Sequence, residues 1–117
     1  MRHRKTVAKL SRTSDHRKAM MRNLATSLAL HGKLITTDAK AKALVSYYEK
    51  LLTLVKATDK MNAIRRLKRY LYTEAAQKAF MDNLEKLGKR SGNVRMAKVG
   101  VRQGDGGKTI LVELVLK

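Results

Sequence analysis

The sequence predicts an α+β fold of two layers, with helices packed on a small mixed sheet in the order α-β-α-α-α-β-β. Three observations carry this. Apolar residues recur at helical spacing in four stretches between Met20 and Leu87. A β-branched run, "KLITT" (33–37), separates the first of these from the second. The chain then closes on two strand-like runs, "VRMAKVGV" (94–101) and "TILVELVL" (109–116), joined by the glycine-rich "RQGDGGK". At 117 residues the length suits a single domain, taken here as residues 14–117, behind a basic arm of residues 1–13.

The arm comes first. Met1 to Asn23 holds eight lysines and arginines, two histidines and one acid, and Val7, Ala8 and Leu10 are too few to form a core. Residues 1–13 are therefore expected to be extended. Ser14 is expected to cap a first helix, apolar at Met20, Met21, Leu24, Ala25 and Leu28, with Gly32 as its stop. Thr37 and Asp38 mark the start of a second helix, whose stripe of Ala41, Leu44, Val45, Tyr48, Leu51, Leu52 and Val55 is the clearest in the chain. After Thr58 and Asp59, a third helix is apolar at Met61, Ile64, Leu67 and Leu71. Thr73-Glu74 caps a fourth, apolar at Ala76, Phe80, Leu84 and Leu87 and ending at Gly88. The last two runs read as an antiparallel hairpin. The second of them is apolar on both faces apart from Glu113, which makes it the central strand, with "KLITT" on its far side. No internal repeat or low-complexity segment is evident, and there is no proline.

Charge narrows the function. Twenty-seven lysines and arginines against nine acids give a net charge of +18, a field that attracts polyanions at long range. The absence of cysteine removes disulfides, thiolate nucleophiles and cysteine-based zinc sites. No apolar run approaches the length of a membrane span, and the N-terminus lacks the apolar core of a signal peptide. Its arginine-rich, acid-poor opening shares the composition of a mitochondrial presequence. The helical periodicity that begins at Met20 is needed by the rest of the fold, however, so the segment is expected to be retained.

The motifs that suggest chemistry fail on spacing. Gly107-Lys108-Thr109 matches the end of a phosphate-binding P-loop, but the glycine required five positions earlier is Arg102, and a strand follows instead of a helix. Asp105 alone cannot supply the six or more oxygens of a calcium site. His3, His16 and His31 have no carboxylate placed to orient them, and the nine acids are scattered singly rather than paired for magnesium. No catalytic residue, metal or cofactor is expected, and a magnesium-dependent RNA-processing enzyme is a remote alternative.

Two basic clusters exceed what an ordinary solvated face explains. Arg17, Lys18 and Arg22 fall in the opening turns of the first helix, where cations oppose the macrodipole unless an anion sits between them and the free amides. "RRLKR" places Arg65, Arg66, Lys68 and Arg69 around the third helix with no acid four residues away. With one Phe, four Tyr and no Trp, backbone recognition of a folded, densely charged partner fits better than base stacking along a single strand.

The opening "MRHRK", then "LSRTSDHRKAMMRNL", "TTDAKAKAL" and "GDGGKTILVELV", resemble the L-seventeen family of bacterial large-subunit ribosomal proteins from Met1 to Lys117. The resemblance implies the α-β-α-α-α-β-β order derived above and a cytoplasmic, non-enzymatic role in assembling the large subunit. Its implied partners are 23S rRNA and neighbouring large-subunit proteins. Onto the family's basic motif fall Arg2, His3, Arg4 and Lys5, then Arg12, His16, Arg17, Arg22 and Asn23. Lys9, Lys18, Arg65, Arg66 and Arg69 join them as expected RNA contacts on charge alone. Asp38 and Ala39 stand where the family commonly has Leu-Pro, and the "RQGDGGK" loop is less basic than usual. An extended arm of about 13 residues would reach roughly 40 Å between RNA helices. A basic nucleoid or DNA-architectural protein is the alternative reading, although no helix-turn-helix is evident.

Overall fold

Thr13 caps the first helix, one residue earlier than expected. Its extended backbone leaves the helix to begin at Ser14, and its side chain accepts the His16 amide at 3.4 Å. This computed structural model describes residues 10–57, 59–87 and 92–115. The elements are α1 (Ser14–His31), β1 (Lys33–Thr37), α2 (Asp38–Lys56), α3 (Lys60–Tyr70), α4 (Glu74–Lys86), β2 (Val94–Val101) and β3 (Lys108–Leu114). This is the expected order and the expected α+β class.

α1 ends where Gly32 takes a φ of +76° and its amide reaches the Leu28 carbonyl at 2.8 Å, a left-handed stop that glycine adopts without steric cost. The Gly32 carbonyl then accepts the Leu114 amide at 2.9 Å, which docks the helix end on the last strand. The expected stop of the fourth helix, Gly88, lies outside the described residues; α4 closes with the Leu87 amide on the Asn83 carbonyl.

β3 is central, in the order β1-β3-β2. Both pairings are antiparallel, so the sheet is not mixed. β1 and β2 do run parallel to each other, but β3 lies between them and leaves no parallel neighbours. Register puts Ile110, Val112 and Leu114 of β3 on the buried face, with a bulge in β2 between Lys98 and Gly100. The opposite face carries the cross-strand rows Lys33–Glu113–Arg95 and Ile35–Leu111–Ala97. In the first of these, Arg95 pairs with Glu113.

α2 lies over the sheet and is the hub of the core. Ala41, Leu44, Tyr48, Leu51, Leu52 and Val55 are buried along one side, as the sequence stripe predicts, and Val45 packs at its margin. Each fully buried leucine there contributes about 2 kcal/mol. Tyr48 leans on Phe80 of α4 with ring centroids 5.2 Å apart. Glu49 of α2 accepts the Asn93 and Val94 amides at 2.6 and 3.0 Å, which ties the helix to the start of β2.

α3 departs from expectation. Its buried positions are Ala63 and Leu67, followed by Leu71, whereas Met61 is 65% exposed and Ile64 borders solvent. The small Ala63 faces the core in this short helix, and that rotates the Met61 edge outward. The "RQGDGGK" turn is ordered from within. Arg102 pairs with Asp105 at 2.7 Å, and the Asp105 carboxylate accepts the Gly107 amide at 3.0 Å. That amide and the nearby guanidinium hold the Asp105 carboxyl below its usual range. The turn is thus a hairpin connection followed by a strand, without the helix a P-loop needs.

Candidate nucleic-acid interface

The chain approaches α1 through a turn. Leu10 and Ser11 have φ values of 55° and 54°, a left-handed pair that non-glycine residues rarely adopt. The Arg12 guanidinium closes this turn by donating to the Leu10 carbonyl at 2.7 Å, while Leu10 itself packs against the core. The described end of the expected arm is therefore an anchored turn and not an extended segment, held by the Arg12 contact and by Leu10 against the core. Arg2, His3, Arg4, Lys5 and Lys9 lie outside the described residues.

Arg17, Lys18 and Arg22 occupy a particular line on α1. Positions four apart share a helix face, so Arg17 continues the Met21–Ala25 stripe and Lys18 continues Arg22–Thr26. From Met21 onward these stripes are buried at Met21, Ala25, Thr26 and Ala29, with Leu28 buried beside them. In the first turns Arg17 is half-buried and Lys18 is exposed, alongside exposed His16 and, further on, Asn23. Arg17 donates to the Arg12 carbonyl at 3.4 Å. The cap offers its own partner to one free amide, and Asp15 is the acid of the first turn.

Arg22 is engaged differently. Its guanidinium lies 4.1 Å over the centroid of the Tyr72 ring and donates through Nη2 to the Lys68 carbonyl at 3.4 Å. That carbonyl belongs to the last turn of α3, where a cation complements the macrodipole. Thr26, one turn on, donates to the Arg22 carbonyl at 2.7 Å and accepts the Tyr72 amide at 3.2 Å. On the other side of the α3–α4 connection, buried Gln77 donates to the Leu71 carbonyl at 3.3 Å. The contact between α1 and α3 joins residues 46 apart in sequence. No local pattern announces it.

Arg65, Arg66 and Arg69 are exposed around α3, together with Lys68. The ion pairs among the described residues are Lys42–Asp38, Arg95–Glu113 and Arg102–Asp105. None involves Arg12, Arg17, Lys18, Arg22, Arg65, Arg66 or Arg69. α1 and α3 touch through Arg22 and Thr26, so the two basic clusters read separately in the sequence adjoin in space. Tyr72, 46% exposed at this junction, is the residue that sequence reasoning did not single out. Its position just past the end of α3, one residue beyond buried Leu71, is the signal that could have found it.

Among the described residues there is no group of three or more His, Cys, Asp or Glu that could hold a metal ion, and no helix is long and apolar enough to cross a membrane.

A profile of the family described as "Ribosomal protein L17" matches residues 20–115. A protein of Desulfosudis oleivorans named "Large ribosomal subunit protein bL17" is 43% identical over 117 residues, covering 98% of this chain and 56% of that protein. One of the same name from Carboxydothermus hydrogenoformans is 45% identical over 109 residues, covering 92% of this chain and 96% of the relative. Another, from Clostridium perfringens, is 44% identical over the same shares. The chain thus spans about half the length of the first relative and nearly all of the other two. These are ribosomal proteins, not enzymes, and the chain belongs to the ribosomal protein L17 family.

Proposed function

We propose that this protein is a structural constituent of the large ribosomal subunit in the bacterial cytoplasm, that it binds 23S rRNA, and that it supports assembly and translation beside neighbouring large-subunit proteins. Residues 1–13 act as the basic arm and residues 14–117 as the domain that carries it. Arg12, His16, Arg17, Lys18 and Asn23 offer RNA contacts from the head of α1, and Arg65, Arg66 and Arg69 extend them along α3. Arg2, His3, Arg4, Lys5 and Lys9 complete the surface, and Arg22 belongs both to it and to the fold.

One observation carries the reading: among the described residues, no ion pair involves Arg12, Arg17, Lys18, Arg22, Arg65, Arg66 or Arg69, and each pair that does form lies elsewhere. An unpaired cationic surface is held ready for an external anion, and a phosphate backbone supplies anions at the required density. Family membership supports the ribosome as the source of that backbone.

Co-sedimentation of a tagged copy with large subunits through a high-salt cushion tests the proposal. A constituent stays bound, because its contacts are numerous and enclosed. A basic DNA-architectural protein held by charge alone is released, and such release would overturn the proposal.

A further inference from the structure

We infer that Tyr72 is a stacking platform for one unpaired RNA nucleotide, at the junction of α1 and α3. This inference rests on the RNA-binding reading and adds to it a specific ligand class. Every aromatic residue of the chain is described, and four of the five are committed to the interior. Tyr48 and Phe80 pack on each other in the core, and Tyr47 and Tyr70 are half-buried edge to face with centroids 6.2 Å apart. Tyr72 alone is exposed, with 46% of its surface in solvent.

Its setting is that of a base-binding ring. One side is covered by the Arg22 guanidinium at 4.1 Å, and the Nε of that group is buried without a hydrogen-bond partner. The backbone is pinned from below by Thr26 through the Tyr72 amide, and Gln77 holds the preceding carbonyl. The ring is thus preorganised and loses little freedom when a base stacks on it. Exposed Lys68 and Arg69 stand in the preceding turn of α3, where they can take the phosphates flanking such a base. A paired A-form segment keeps its base faces stacked inside the helix and cannot offer one to the ring. The ligand is therefore a bulged or looped-out nucleotide.

The test uses the full chain and two RNA hairpins, one with a single unpaired adenosine and one fully paired, measured at one salt concentration. Wild-type protein should prefer the bulged hairpin by about tenfold, the effect of one base–aromatic stack. Tyr72→Ala and Tyr72→Leu should erase that preference, and Tyr72→Phe should retain it. A wild-type protein without preference, or a Tyr72→Ala variant that keeps it, overturns the inference. Failure of wild-type protein to bind either hairpin overturns the RNA-binding reading, and this inference with it. If Tyr72→Ala lowers occupancy in purified subunits with RNA preference intact, the ring serves a protein neighbour and the assignment is wrong.

Discussion

Arg17 and Arg22 look equivalent in the sequence, yet the structure predicts that their removal has opposite consequences. Arg22→Ala removes a hydrogen bond from a charged donor to the Lys68 carbonyl, at 3.4 Å and so near the weak end of the about 1.5–3 kcal/mol range. It also removes a cation–π contact at 4.1 Å, worth about 0.5–1 kcal/mol at a partly exposed site. Against this, deleting one positive charge relieves repulsion in a chain of net +18, by a few tenths of a kcal/mol for each cation about 10 Å away in water. The net expectation is a loss of about 1.5 kcal/mol, which lowers Tm by roughly 5–10 °C in a domain of this size. Among the described residues Arg17→Ala gives up a long contact within its own segment, and it gains helix propensity, so its stability should change by less than about 0.5 kcal/mol.

Urea unfolding at low ionic strength is the appropriate assay, because guanidinium would screen the charges being compared. Competitive incorporation of tagged variants into large subunits is the companion measurement. Arg17→Ala should fold normally and lose occupancy. Arg22→Lys keeps the charge but loses the planar group that stacks on Tyr72, and should show part of the stability loss. If Arg17→Ala destabilises the fold as much as Arg22→Ala, the division of labour argued for α1 is wrong.

Three other outcomes are expected. Tyr48→Phe removes a hydroxyl that is buried without a partner and should raise stability by about 1 kcal/mol, read from urea melts. Burial pushes the Tyr48 phenol, and less strongly that of Tyr47, above the ordinary 10.0. The unfolded chain therefore gives up protons near pH 10 that the native state retains, stability falls as pH rises past that point, and Tyr48→Phe should flatten the fall. Gly32→Ala meets no atom within 4 Å but must hold a φ of +76°, so it should cost about 1–2 kcal/mol in the same assay with an unchanged m-value. Affinity for a ribosomal RNA fragment should fall steeply with salt, by about 10³-fold or more between 50 and 200 mM if about 6–10 phosphates are neutralised; a nearly flat response would mean that the basic surface is misassigned.

The parts of the fold that were legible in the sequence are those governed by local rules. Gly32 stops α1 because left-handed backbone favours glycine, and β3 was legible as the central strand because apolar runs enriched in β-branched residues concentrate in sheet interiors, away from exposed edges. The α2 stripe was legible because one helix packs against most of the others. α3 was less so, because two alternative apolar faces exist in its 11 residues. Met61 and Ile64 outweigh Ala63 in hydrophobicity, but Ala63 permits the closer approach and occupies the core. Among the candidate site residues, charge identified the clusters on α1 and α3. It could not show that Arg22 turns toward α3, because that choice depends on a carbonyl and a ring about 50 residues away.

α1 explains how so basic a chain keeps a stable core. A stripe of one helix face runs from Arg17 and Lys18 into Met21, Ala25, Thr26 and Leu28, and its chemistry changes from charged to apolar where the helix enters the domain. The cations that oppose the macrodipole are thereby confined to the turns that make the fewest core contacts, where their repulsion is screened by water and costs the fold little. Arg22 sits at the changeover. It is the one cation of this stripe that pairs with a helix C-terminus instead of opposing an N-terminus, and so it supports the fold with the same charge that its neighbours present to solvent. A phosphate placed against the first turns would meet cations and free amides together, so binding would remove an electrostatic cost that the free protein carries. On the proposed RNA-binding reading, charge placed there would make recognition strongest where the fold depends on it least.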